Sequence, residues 1–157
     1  SINNSTAAKA RLLFQKEEKY RIEFKNLEII SDGKTLWNYN KRSNKVIIND
    51  VKKGSGTFSL KAMIIDFPAE SKVESLGKET AGPVRCDVLR LTALKQGSIK
   101  MLKIWADESG LPRKIEMTDP SNNVMTFELS NIKVDQPISG SRFKFEAPKG
   151  SEVIDLR

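Results

Sequence analysis

The 157-residue sequence contains no histidine. Without an imidazole there is no Ser-His-Asp or Cys-His nucleophile, no His-bearing zinc site and no histidine base. A single cysteine, Cys86, allows no intrachain disulfide and no four-cysteine metal site. It reads as a small apolar core residue early in a strand, with no histidine to activate it. No run of about 20 apolar residues occurs, so no transmembrane helix is expected. These absences set the expectation of no catalytic residues, no metal and no cofactor. The acidic pairs Glu17-Glu18 and Asp107-Glu108 fall in turn-like segments and read as turn formers rather than a general acid and base. Gly33-Lys34-Thr35 matches the end of a phosphate-binding loop, but Glu28 stands where that motif needs glycine, and a strand follows where it needs a helix.

What is present suits a soluble globular chain of one domain's length, with 38% apolar and 30% charged residues. The net charge of +7 is uneven. Residues 1–60 hold twelve Lys and Arg against six Asp and Glu; residues 61–157 hold fifteen against fourteen. Lys41, Arg42, Lys45, Lys52 and Lys53 form the densest basic cluster. Such a patch attracts anionic lipid, an acidic protein face or nucleic acid, and it equally suits a solvated hairpin rim. Aromatics do interleave with basic residues at Tyr20-Arg21 and at 142–145, as in base-stacking sheets. Alternating strands give the same composition, so nucleic acid is not expected as a partner.

Along the chain, short alternating runs are separated by turn residues. Tyr20, Ile22 and Phe24 alternate with Arg21, Glu23 and Lys25, which marks a half-buried strand. Asp32-Gly33 signals a hairpin, and Trp37 and Tyr39 then share one face of the next strand. Further strands are expected at 10–14, 27–31, 46–48, 84–94, 99–106, 112–118, 124–134 and 142–146. One helix is expected at 57–67, where Leu60, Met63, Ile64 and Phe67 fall on one face and Pro68 follows as a stop. That stripe suits plain core packing, which the pattern alone favours, or a movable apolar cover with Gly54 and Gly56 as hinges. The sum is a mainly β chain: one curved antiparallel sheet of about ten strands, partly closed, with the helix on one face.

Residues 30–40, ISDGKTLWNYN, resemble the "SDGKTLW.Y" hairpin of the periplasmic outer-membrane lipoprotein carriers, the LolA-type family. The close of the chain agrees: FKFEAPKG at 143–150 and VID at 153–155 are similar to the family's "F.F..P.G…VID" ending. The resemblance implies a single carrier-like domain over 1–157: an incomplete, half-open antiparallel barrel with covering helices on its concave face. The family's N-terminal amphipathic helix has no counterpart before Ala8, and the chain reads as trimmed or divergent there. The family's latch arginine, which ties lid to sheet, falls at Lys16, with Glu17 in place of the following proline; lysine is a point charge rather than a planar fork.

The function implied is that of a monomeric periplasmic carrier without enzymatic activity. It takes acylated lipoproteins from an inner-membrane lipoprotein-releasing ABC transporter and passes them to an outer-membrane lipoprotein acceptor. The acyl chains would lie in an apolar cavity. Its expected lining is Phe14, Tyr20, Ile22, Trp37, Tyr39, Leu89, Leu91, Leu102, Ile104, Met117, Met125 and Phe127, with Met63, Ile64 and Phe67 facing it from the helix. Methionines suit variable cargo because they repack easily. The basic cluster is expected to aid partner docking outside the cavity, since charge in an apolar cavity is costly to desolvate. Two other roles on the same fold stay open: an envelope lipid or glycolipid carrier, and a lipid-sensing regulator of envelope stress.

Overall fold

The computed structural model describes residues 7–16, 18–51 and 67–157. Its strands are β1 (Ala10–Gln15), β2 (Lys19–Phe24), β3 (Leu27–Asp32), β4 (Thr35–Asn40), β5 (Lys45–Asp50), β6 (Ser71–Ala81), β7 (Val84–Ala93), β8 (Met101–Ala106), β9 (Pro112–Thr118), β10 (Val124–Glu128) and β11 (Glu152–Asp155). Phe67–Ala69 (α1) is helical, and Gly140–Phe143 forms a 3₁₀ turn. No helix among the described residues is long and apolar enough to cross a membrane.

The strands fall in two compact units, Ser1–Thr57 with Gln136–Arg157, and Phe58–Asp135. The first holds a six-stranded sheet, β1-β2-β3-β4-β5-β11, and the second a five-stranded meander, β10-β9-β8-β7-β6. The expectation of one antiparallel sheet is corrected on two counts. Among the described residues there are two sheets, neither closed into a barrel, and β11 runs parallel to β5. The cause lies at the edges of β5: β4 takes one, and β11 returns from the far end of the chain to take the other. β6 therefore has no edge of β5 to join, and it starts a second sheet.

Two further readings change, and a third lies almost wholly outside the described residues. The segment at 142–146 is not a strand. Phe143 is fully buried and Phe145 half-buried, while Lys144 is exposed, so the alternation is real. The segment buries its aromatics on a sheet face instead of pairing at an edge. Strand β6 escapes sequence reading because its 11 residues, SKVESLGKETA, are almost all exposed and carry little alternation. Of the expected helix at 57–67, only Phe67 lies within the described residues; Leu60, Met63 and Ile64 lie outside them. The helical residues run through Pro68 instead of stopping before it. A proline's φ is helical, and only its N–H is missing.

The β3–β4 hairpin shows why its motif has these residues. Gly33 and Lys34 form the loop, and Gly33 takes φ 91°, which costs a side-chain-bearing residue more. The Asp32 carboxylate Oδ1 accepts the Lys34 and Thr35 N–H groups at 2.9 and 2.8 Å. The fully buried Ser31 hydroxyl donates to the Glu18 carbonyl at 2.7 Å and accepts the Gly33 N–H at 3.1 Å. One side chain thus ties this turn to the β1–β2 connection.

Replacing Ser31 with Ala takes a hydrogen-bond partner from the part-buried Glu18 carbonyl and Gly33 N–H. The expected cost is about 1–3 kcal/mol, read as a lower urea midpoint with an unchanged slope. A Ser109→Ala control on an exposed turn should stay within about 0.5 kcal/mol of the parent.

Candidate functional site

Side chains of directly opposed residues in a ladder lie on the same sheet face, so register decides which residues can form one surface. In the five-stranded sheet, Val73, Leu91, Leu102, Met117 and Met125 are opposed in succession from β6 to β10. A second row on the same face runs Ser75, Leu89, Ile104, Ile115, Phe127. Leu91, Leu102 and Ile115 are buried; Leu89, Ile104, Met117 and Phe127 are half-buried. The outermost members of the first row, Val73 and Met125, are 52% and 51% exposed. This one face thus holds every lining residue expected from 84–128: Leu89, Leu91, Leu102, Ile104, Met117, Met125 and Phe127. Ile115 belongs with them and was missed, although its alternation with Met117 carries the signal.

The opposite face of that sheet is mostly charged. Its centre is a small cluster of Cys86, Val88 and Trp105, packed by Ala81 and Val84. The Lys103 and Lys114 ammonium groups sit 4.4 and 4.3 Å from the Trp105 ring centroid, and the indole N–H donates to Glu79 at 2.8 Å. That indole hydrogen bond, then Lys103, holds the Glu79 carboxyl below its ordinary range. A depression of about 420 Å³ is lined by Lys72, Glu74, Arg90, Thr92, Ala93, Leu94 and Met101. Arg90 and Lys72 both pair with Glu74, at 3.1 and 3.3 Å. A lining so charged is a poor host for an acyl chain.

The six-stranded sheet separates the remaining lining residues. Phe14, Tyr20 and Ile22 share one face with Leu12, Ile29 and Leu36. Burial, then the neighbouring Glu18 charge, pushes the Tyr20 phenol up. Trp37 and Tyr39 lie on the other face, beside the buried Ile30 and Val46. There they meet Phe145, at ring-centroid distances of 6.5 and 5.5 Å. The chain's own C-terminal segment occupies the side of Trp37 and Tyr39, and register keeps these two apart from Phe14, Tyr20 and Ile22. Next to that aromatic cluster, Glu28 pairs with Arg21 at 2.5 Å and Lys41 at 2.6 Å.

Of the other expected site residues, Phe67 is half-buried in α1 and Lys16 is exposed just past β1. Lys41 pairs with Glu28 and Lys45 with Glu152 at 3.2 Å, while Arg42 is exposed on the β4–β5 turn. Lys52, Lys53, Met63 and Ile64 lie outside the described residues.

Residues 2–146 match the family described as "Outer membrane lipoprotein carrier protein LolA". The chain belongs to the LolA family. An uncharacterized protein of Methanocaldococcus jannaschii is 30% identical over 150 residues, which cover 90% of this chain and 42% of that protein. An outer-membrane lipoprotein carrier protein of Pasteurella multocida is 31% identical over 134 residues, 83% of this chain and 60% of the relative. The chain thus spans about half the length of these first relatives. A Francisella tularensis outer-membrane lipoprotein carrier protein is 24% identical over 156 residues, 98% of this chain and 74% of the relative. Among solved structures, an uncharacterized conserved protein from Thermus thermophilus superposes with a TM-score of 0.63 at 13% identity, covering 94% of this chain and 82% of that one. That likeness concerns the fold alone. In this LolA-family chain the SDGKTLW stretch is the β3–β4 hairpin, and its Trp37 is a packing residue for the C-terminal segment.

Burial alone would raise the Glu28 carboxyl, but Lys41 and Arg21 outweigh it and hold the group below its ordinary value of 4.5. A depressed carboxylate contributes stability above its unfolded pKa and loses it as pH falls through the folded one. The parent protein should therefore lose stability on acidification below about pH 4.5. Glu28→Gln should be less stable than the parent at pH 7 and should lose less between pH 5 and pH 3. Urea midpoints across that range measure both.

Proposed function

We propose that this chain binds the acyl chains of lipoproteins on the apolar face of its five-stranded sheet and carries them between membranes. The observation that carries this reading is the register: across five strands two rows of mostly apolar side chains fall on one side, while Glu74, Arg90, Lys103 and Glu116 fall on the other. Exposing one long acyl chain to water costs on the order of 10 kcal/mol, at about 0.8 kcal/mol per methylene. A carrier must offset that cost and still release. A half-buried surface with two methionines offers contact that repacks, with no covalent step and no catalysis. In this reading the protein works as a monomer in the periplasm, loaded by an inner-membrane ABC transporter and unloaded at an outer-membrane acceptor, a proposal that family membership supports. Phe14, Tyr20 and Ile22 form an apolar face of their own on the six-stranded sheet, and acyl contact there and at Phe67 is part of the proposal. Trp37 and Tyr39 serve stability instead. Lys16 takes the latch position, and the cluster from Lys41 to Lys53 steers acidic partners or headgroups.

The test is affinity capture from envelope extract followed by mass spectrometry of what stays bound. Acylated lipoproteins are the expected catch. Free lipids alone would point to a lipid carrier, and a membrane signalling protein to a sensor. Leu89→Glu should cut bound acylated species about tenfold or more, because it places a charge in the apolar rows. Trp37→Ala should lower stability by about 3 kcal/mol, the low end for a tryptophan because Trp37 is half-buried, and leave the bound species unchanged.

A further inference from the structure

The six-stranded sheet gathers cations from distant parts of the chain at one of its ends. Four stretches meet there: the start of β1, the β2–β3 turn, the β4–β5 turn and the turn before β11. β1 begins at Ala10, opposed to Phe24, so Lys9 stands beside Lys25. The Lys41 N–H donates to the Asn26 carbonyl at 2.9 Å, which ties the β2–β3 turn to the β4–β5 turn. The Glu152 N–H donates to the Asn44 carbonyl at 3.0 Å and ties on the turn before β11. Asn40 Oδ1 accepts the Arg42 and Ser43 N–H groups at 3.0 and 3.2 Å, and the Pro148 carbonyl accepts the Ser151 N–H at 3.0 Å. Arg42 and Lys149 thus sit on turns braced by hydrogen bonds.

The charge at this end is one-sided. Residues 9, 25–28, 40–45 and 146–152 hold six cations against three acids. Glu28 is taken by Arg21 and Lys41, and Glu152 by Lys45. Lys9, Lys25, Arg42 and Lys149 are exposed and form no ion pair among the described residues. At the opposite end Lys16, Lys19, Lys34 and Arg157 stand with Glu18, Asp32, Asp50 and Asp155. Six strands about 4.8 Å apart spread the four unpaired cations over about 24 Å.

We infer that this end of the six-stranded sheet docks on an anionic lipid surface, with Lys9, Lys25, Arg42 and Lys149 over the headgroups. The inference rests on the docking role proposed above for the basic cluster and narrows it to headgroups, without use of the apolar face. A protein interface needs apolar or aromatic anchors, and the exposed residues Lys25, Asn26 and 40–43 offer none. A base-stacking surface needs open rings, and Tyr39, bound to this end through Asn44, is half-buried against Phe145. A headgroup layer asks only for positive charge within a Debye length, and each Lys or Arg then strengthens binding about fivefold.

The test is co-sedimentation of the chain with phosphatidylcholine vesicles, alone or with about a third phosphatidylglycerol. The parent should bind the anionic vesicles and lose most of that binding as salt rises from about 0.05 M to about 0.5 M. Lys25→Gln, Arg42→Gln and Lys149→Gln should each weaken binding about fivefold, and the triple variant about a hundredfold. Lys34→Gln, at the balanced end, should stay within about twofold of the parent. Circular dichroism checks that the variants fold. Equal binding to neutral vesicles, or parent-like binding by the triple variant, would overturn the inference. So would absence of binding to the anionic vesicles; retention on immobilised polyglutamate would then assign this end to an acidic protein. None of these failures touches the acyl reading, which the capture experiment decides.

Discussion

A strand shows alternate residues to alternate sides, and a shift of one residue in pairing turns its whole apolar set outward. Five strands can agree on an apolar face only if every ladder holds its register. Here the rows from β6 to β10 agree through four successive pairings, and the one bulge in β6 falls after Ser75, beyond the two rows. The left-handed glycines Gly77 and Gly82 absorb the bulge and the β6–β7 turn, and the Asp107 and Asp119 turns fix the lengths of the next connections. The chemistry of the site is thus set by turn residues that do not belong to it.

The same constraint divides labour between faces. On the five-stranded sheet the charged side chains back onto Trp105, where two ammonium groups and a carboxylate satisfy the indole from above and at its edge. On the six-stranded sheet, Phe143 and Phe145 close one face with Trp37 and Tyr39. Aromatic pairs of this kind stabilise by about 0.5–1.5 kcal/mol beyond their burial, which favours rigidity. The proposed cargo surface is built otherwise, from aliphatic side chains and methionines, buried at Leu91, Leu102 and Ile115 and half-buried at Leu89, Ile104 and Met117, and its methionines repack more easily than rings.

The sequence was most legible where local rules decide. Asp32-Gly33 marked its hairpin, alternation marked β2 and β4, and the quoted motifs marked the family. The apolar set from Leu89 to Phe127 was also legible, because each strand there alternates on its own. What alternation cannot give is which face of one strand meets which face of the next. Trp37 and Tyr39 were grouped with Tyr20 and Ile22 for that reason, and only the Ile30–Trp37 and Ser31–Leu36 pairings separate them. The two-sheet arrangement was invisible because it depends on β11 reaching β5 across about a hundred residues, a contact with no local trace. β6 was missed because an exposed edge strand has little apolar pattern to show.

Methyl resonances report most directly on whether the paired rows are the cargo surface. On titration of the labelled protein with a saturated acyl probe, the methyls of Leu89, Leu91, Leu102, Ile104, Ile115, Met117 and Met125 should shift together with one dissociation constant. Val88, behind the same sheet, and Ile30 and Val46, beside the Trp37 cluster, should stay in place. Shifts confined to Ile30 and Val46, or saturation of the probe with the row methyls unmoved, would contradict the account.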